Sequence, residues 1–197
     1  MPQLYSLSEL AEMFTKSIGG DDERQELMVR QIRNLATQQL IKATEIRGGR
    51  RTVYLGMREA AKARIQIAMI NLGLDALAIR DVSQLWEQGE RAVDPRLGHP
   101  VIGGSYPPRG LDAVLYDLSN GGPDWSFIVH IRFIVETGER FVVGGFVRAD
   151  QPELPEEHPL SLKGMNADGV RTSEGTVRTE GSLLIPATQL IRTLFED

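Results

Sequence analysis

Residues 40–55 constrain the fold most strongly: two short β-leaning runs, 40–46 and 51–55, are joined by Arg47-Gly48-Gly49-Arg50. Paired glycines reach positive φ without a Cβ clash, so the segment is expected to close as a tight antiparallel hairpin. Arg47, Arg50 and Arg51 then crowd its tip, which makes the hairpin basic.

Upstream, Ser6-Leu7-Ser8-Glu9 has the Ser-x-x-Glu form of a capping box, and Leu7, Leu10, Ala11 and Phe14 follow at helical spacing. The spacing predicts a short helix to about residue 16. Gly19-Gly20 ends it, and Asp21 or Asp22 caps a second helix reaching about Thr37, with Glu23 and Glu26 suiting its positive end. Beyond the hairpin, residues 57–72 predict a helix with Ala60, Ala61, Ile65, Ala68 and Met69 on one face and Gly73 as its stop. Another is expected over 75–86 through Leu77, Ile79, Val82 and Leu85.

The stretch 88–110 changes character, with prolines at 95, 100, 107 and 108 and glycines at 98, 103 and 104. A boundary is placed there: an N-terminal helical domain over 1–92, a Pro/Gly linker over 93–110, and a second domain over 111–197. In the second, β-rich runs at 111–118, 125–135 and 140–147 suggest an antiparallel meander. Residues 150–181 read as a polar loop or a poorly ordered hairpin, 182–185 as an edge strand, and 187–195 as a closing helix begun by Pro186. The expected class is α+β.

Composition excludes several functions. With 41% hydrophobic and 25% charged residues the chain is globular, and having no cysteine it has neither disulfides nor thiolate metal sites. There is no run of about 18 apolar residues, and the first residues lack a basic segment followed by an apolar one, so a cytoplasmic protein without a membrane span is expected. The net charge of -5 conceals an asymmetry. Residues 24–64 hold ten Lys or Arg against three Glu, or +7, whereas residues from 93 onward hold nine basic against fifteen acidic, or -6. Such polarity is expected when one region meets a polyanion and the other does not.

On the second helix, Met28, Ile32, Leu35 and Ala36 fall on one side and Arg30, Arg33, Asn34 and Thr37 on the other. Arginine can pair with guanine edges and asparagine with adenine, and both can hold phosphates. A solvated helix face carries the same residues. The order of elements favours the first reading: a capped helix, a basic-faced helix and an arginine-tipped hairpin within about 50 residues have the layout of a winged helix-turn-helix.

Leu7-Ser8-Glu9-Leu10-Ala11, Val29-Arg30-Gln31-Ile32-Arg33, Gln39-Leu40-Ile41, Tyr54, and Leu72-Gly73-Leu74 with Ile79 resemble, in order and spacing, the DNA-binding domain of MerR-type regulators. The resemblance covers residues 5–90. It implies that Arg30 and Arg33 meet double-stranded DNA from the recognition helix while Tyr54 and the wing arginines touch its backbone. Tyr54 also reads as a residue packed on the core. Three features depart from the pattern: Asn34-Leu35 stands where the family has an aromatic, Thr52 where an Arg precedes the wing tyrosine, and the link over 15–25 is long. Gly89 and the following prolines replace the family's dimerising coiled coil, so that dimer and its mode of activation do not carry over.

The candidate DNA-binding residues are therefore Arg30, Gln31, Arg33, Asn34, Thr37, Arg47, Arg50, Arg51 and Tyr54. No catalytic, metal or cofactor motif emerges: His99, His130 and His158 are far apart, and Asp117, Asp124, Glu136 and Glu139 suit turns as well as a Mg²⁺ site. Trp125, Phe127, Phe133, Phe141 and Phe146 fill a small core, a dimer interface or an effector pocket for a small molecule. The expectation is a non-enzymatic, sequence-specific transcriptional regulator, more often repressing than activating, that works as a homodimer. The alternative is a phage or mobile-element DNA-processing factor of excisionase-like or packaging-recruitment type. A module whose winged helix binds protein is the third.

Overall fold

Ser6 starts the first helix as the capping box requires. Its hydroxyl accepts from the Glu9 amide at 3.2 Å, and its own amide donates to the Glu9 carboxylate at 2.7 Å. These bonds from the Ser6 backbone and hydroxyl hold the Glu9 carboxyl below its ordinary range. A computed structural model describes residues 3–48, 52–88, 93–94, 99–100, 110–150, 170–172 and 175–195. The fold is α+β, and its contacts divide it into two compact units, 1–74 with 189–197, and 75–188. That division falls ahead of the Pro/Gly-rich stretch over 93–110, most of which lies outside the described residues.

In the first unit, β1 (Leu4–Ser6) leads into α1 (Leu7–Lys16), which buries Leu10, Ala11 and Phe14. Gly19 turns the chain at φ +66, a conformation that glycine adopts without strain. Asp21 then accepts from the Arg24 amide at 3.0 Å and starts α2 (Asp22–Thr37). The link between the helices is thus 17–21, shorter than the 15–25 read from the sequence. After α2, the expected strand over 40–46 contracts to β2 (Glu45–Arg47), paired with β3 (Thr52–Gly56). The reason is local. Gln39 adopts φ 59, Leu40 and Ile41 are both buried rather than alternating, and the Thr44 hydroxyl accepts the Gly56 amide at 2.8 Å. A strand absent from the sequence reading, β1, adds to the other edge of β3, giving the antiparallel order β1-β3-β2.

The next helix, α3 (Met57–Asn71), departs from the one apolar face expected of it. It is buried nearly all round, including Lys62, Arg64 and Gln66. Each of these side chains makes at least one polar contact, although among the described residues Arg64 Nε and Gln66 Oε1 have no hydrogen-bond partner. Lys62 lies 3.3 Å from the Glu59 carboxylate, the Arg64 guanidinium stacks 5.2 Å from the Phe14 ring centroid and donates to Ser17 Oγ, and Gln66 donates to the Leu40 carbonyl. Glu59 also accepts the Lys42 amide at 2.7 Å. The Tyr5 hydroxyl, donating to the Leu194 carbonyl at 3.0 Å, ties the end of the chain to β1.

The second unit contains α4 (Ala76–Gln88), a short pair β4 (Val93–Asp94) and β5 (His99–Pro100), α5 (Gly110–Ser119), β6 (Trp125–Ile134), β7 (Arg140–Arg148), β8 (Val170–Thr172) and β9 (Gly175–Ile185). α6 (Ala187–Arg192) follows β9. The run over 111–118, expected as a strand, is the helix α5. Leu111 with Val114, and Ala113 with Asp117, are buried at helical spacing, and the Gly122 amide closes its end on the Asp117 carbonyl at 2.7 Å. Long strands form one antiparallel sheet in the order β7-β6-β9-β8. Among the described residues, 182–185 pair with β6 alone, as expected of an edge strand, while β8 covers the other side of β9 only at 175–177; part of the expected polar loop or hairpin over 150–181 is the β8–β9 hairpin, and residues 151–169 lie outside the described ones. The centre of β6 buries Phe127, Ile128, Val129 and His130 in succession. Gly144 lets β7 pack tightly: a Cβ there would stand 2.9 Å from both the Ile128 carbonyl and a Val82 methyl. Among the described residues, no helix is long and apolar enough to cross a membrane.

Candidate nucleic-acid interface

The second helix is fixed by Met28, Ile32 and Leu35, which are 3% exposed or less, and by Leu40, whose amide caps the helix end on the Leu35 carbonyl at 2.9 Å. This anchoring leaves Arg30, Arg33, Asn34 and Thr37 exposed. Residues 30–37 span about 10 Å of helix axis, comparable with the width of about 12 Å of a DNA major groove. The end that begins Asp21-Asp22-Glu23 is acidic, so the face suited to a polyanion is the later half of the helix.

The candidate residues are not equivalent there. Arg30 lies 3.6 Å from Glu26 in an exposed i,i+4 pair. Arg33 lines a groove with Val29, Ala36 and Thr37 of α2, Ser6, Leu7 and Ser8 at the start of α1, and Thr52 and Val53 of β3. The hydroxyls of that groove, Ser6, Ser8 and Thr52, escaped the sequence reading. Their signal was present in the capping motif and at the base of the hairpin, but only the fold sets them beside Arg33. Thr37 donates its hydroxyl to the Arg33 carbonyl at 2.9 Å, which leaves the oxygen's lone pairs available as acceptors. Gln31 is half-buried and donates to the Asn71 side chain at 3.3 Å, tying α2 to α3.

Arg47 and Tyr54 stand together on the hairpin. The guanidinium binds Glu45 through two 2.7 Å hydrogen bonds and lies 5.1 Å from the centroid of the half-buried Tyr54 ring. Arg50 and Arg51 lie outside the described residues. The basic excess of residues 24–64 is also partly internal, since Lys62 and Arg64 are 2% and 4% exposed. Burial pushes the Arg64 guanidinium below its ordinary value.

Two of the four carboxylates considered for a metal site, Asp117 and Glu136, act within the fold. Asp117 accepts from the Trp125 indole at 2.8 Å and lies 3.7 Å from Arg148; Glu136 clamps the Thr176 amide and hydroxyl at 2.7 and 2.8 Å. Among the described residues, no three His, Asp or Glu side chains are grouped to hold a metal ion. His130 is fully buried, with its Nδ1 2.6 Å from Ser182 Oγ. Trp125, Phe127 and Phe146 are core residues, with the two phenylalanine rings 4.8 Å apart, whereas Phe133 and Phe141 are half-buried.

Comparison with known protein families, curated proteins and solved structures finds no match, so the residues themselves carry the functional reading.

Proposed function

We propose that the first unit is a winged helix-turn-helix that binds double-stranded DNA, and that the chain is a sequence-specific transcriptional regulator acting as a homodimer. One observation carries the reading: α2 exposes Arg30, Arg33, Asn34 and Thr37 opposite the stripe that anchors it, and Arg33 lines a largely apolar groove, with Ser6, Ser8 and Thr52 among its other residues, beside the β2–β3 hairpin. In this assignment α2 is the recognition helix. Arg30, Arg33 and Asn34 offer donors to base edges, while the Ser8 and Thr52 hydroxyls beside Arg33 and the hairpin arginines offer donors to phosphates. A module this small has limited contact area, and two copies on a repeated or palindromic site supply the rest.

The test is selection of bound duplexes from a random pool, followed by mapping of bound sites in cells. The full chain should enrich one motif near promoters, and Arg30→Ala with Arg33→Ala should lose the enrichment while keeping the native circular dichroism. Unchanged enrichment in the double variant refutes the assignment of α2. Enrichment at recombination or packaging sites, with a recombinase or terminase co-purifying, replaces regulation by DNA processing on the same surface.

A further inference from the structure

Glu45 and Arg47 lie two residues apart on one face of β2, and Tyr54 of β3 stands directly opposite Glu45. The Glu45 carboxylate accepts from two arms of the guanidinium, Nε and Nη2, each at 2.7 Å, above the Tyr54 ring. This is the two-pronged geometry with which arginine also takes a phosphate. A DNA phosphate and Glu45 therefore compete for the same donors. The side chains remain 55% and 43% exposed, so water reaches the pair and opening it costs little. A hydrogen bond to Arg47 lowers the Glu45 carboxyl, which keeps it ionised and competing at neutral pH.

We infer that Glu45 is an internal stand-in for phosphate that restrains the hairpin arginine, lowering affinity for duplex DNA of every sequence. The inference rests on the DNA-binding reading above and assigns Glu45 a tuning role within it. Because a phosphate contact carries no sequence information, the restraint weakens specific and non-specific complexes alike. Its signature is therefore a change in affinity and salt dependence without a change in the preferred motif.

The experiment titrates the full chain, Glu45→Gln, Arg47→Gln and the double variant onto two fluorescent duplexes, the selected site and a scrambled one, at several salt concentrations. Glu45→Gln should bind both duplexes about three- to ten-fold tighter at low salt, with the slope of log K against log salt steeper by about 0.9 for the one extra phosphate contact. Arg47→Gln should weaken binding only slightly alone and remove the whole gain in the Glu45→Gln background. Wild-type affinity and slope in Glu45→Gln overturn the inference, as does a gain that survives in the double variant. In both cases the wild type still binds DNA. A wild type that binds neither duplex at low salt instead overturns the DNA reading itself, and this inference with it.

Discussion

Replacing Arg33 with alanine tests the proposed interface where it is least encumbered. Among the described residues, Arg33 has no acidic partner, unlike Arg30 beside Glu26 and Arg47 beside Glu45. Its charge is available without displacing a carboxylate, and it opens into the groove with Ser6, Ser8, Thr37 and Thr52. Loss of one phosphate contact at physiological salt costs about 1 kcal/mol, and loss of a bidentate base contact costs up to about 3 kcal/mol. Binding to the selected duplex should therefore fall by about five-fold to about 150-fold. Fluorescence anisotropy over a salt series separates the two roles. If Arg33 holds phosphate, alanine flattens the salt slope by about 0.9 and weakens all duplexes alike. Should it read a base, Arg33→Lys keeps the slope, since the charge remains, but loses discrimination at one position because the planar fork is gone. The reasoning is refuted if Arg33→Ala binds the selected duplex within about two-fold of wild type with an unchanged slope.

Three further predictions concern packing, two in the first unit and one in the second. Glu59→Ala removes the acceptor of the Lys42 amide and one partner of Lys62, whose side chain is 3% exposed, and should cost about 1–3 kcal/mol in urea unfolding because buried donors lose an acceptor; an unchanged urea midpoint contradicts the assigned pairing. Gln39→Gly should raise stability by about 0.5–1 kcal/mol, since Gln39 holds φ 59 at the end of α2, and a lower melting temperature would count against a strained cap there. Gly144→Ala should destabilise the chain by about 1–3 kcal/mol, because its Cβ would stand 2.9 Å from both the Ile128 carbonyl and Val82; a neutral outcome means that α4 yields to β7 easily.

What could be read from the sequence followed from how locally each element is determined. The capping box at Ser6, the aspartate cap of α2 and the paired glycines of the hairpin act over a few residues, and the first two helices start where those signals put them. Leu111-Asp112-Ala113-Val114-Leu115 was misread because a short apolar run is compatible with either period; its burial against the sheet decides for a helix. In β9, Val177, Thr179, Leu183 and Ile185 alternate with Arg178, Glu180, Ser182 and Leu184, a period-two signal hidden by the surrounding glycines and charges. Likewise β1 is only three residues long and exists because β3 offers it an edge, which no local pattern announces. At the interface, the exposed face of α2 was legible from helical spacing. The groove around Arg33 was not, since Ser8 and Thr52 meet it only through the path of the chain.

The same distinction governs how charge should be counted. Ten basic residues over 24–64 suggest a strong field, but Lys62 and Arg64 lie inside, Arg58 is 3.5 Å from Glu59, and Arg30 and Arg47 each face a carboxylate. Of the described cations on the proposed face, Arg30 and Arg33 are left to meet phosphate while Glu45 restrains Arg47, so one wild-type copy can release only about two counterions from these side chains. A slope of about -2 corresponds to weak non-specific association. On the proposed reading, useful affinity at physiological salt comes from doubling the interface, and the salt slope should double with it when two copies occupy adjacent half-sites. Duplexes carrying one half-site and two half-sites distinguish that arrangement directly: equal slopes on both would refute it, whatever the sequence selected.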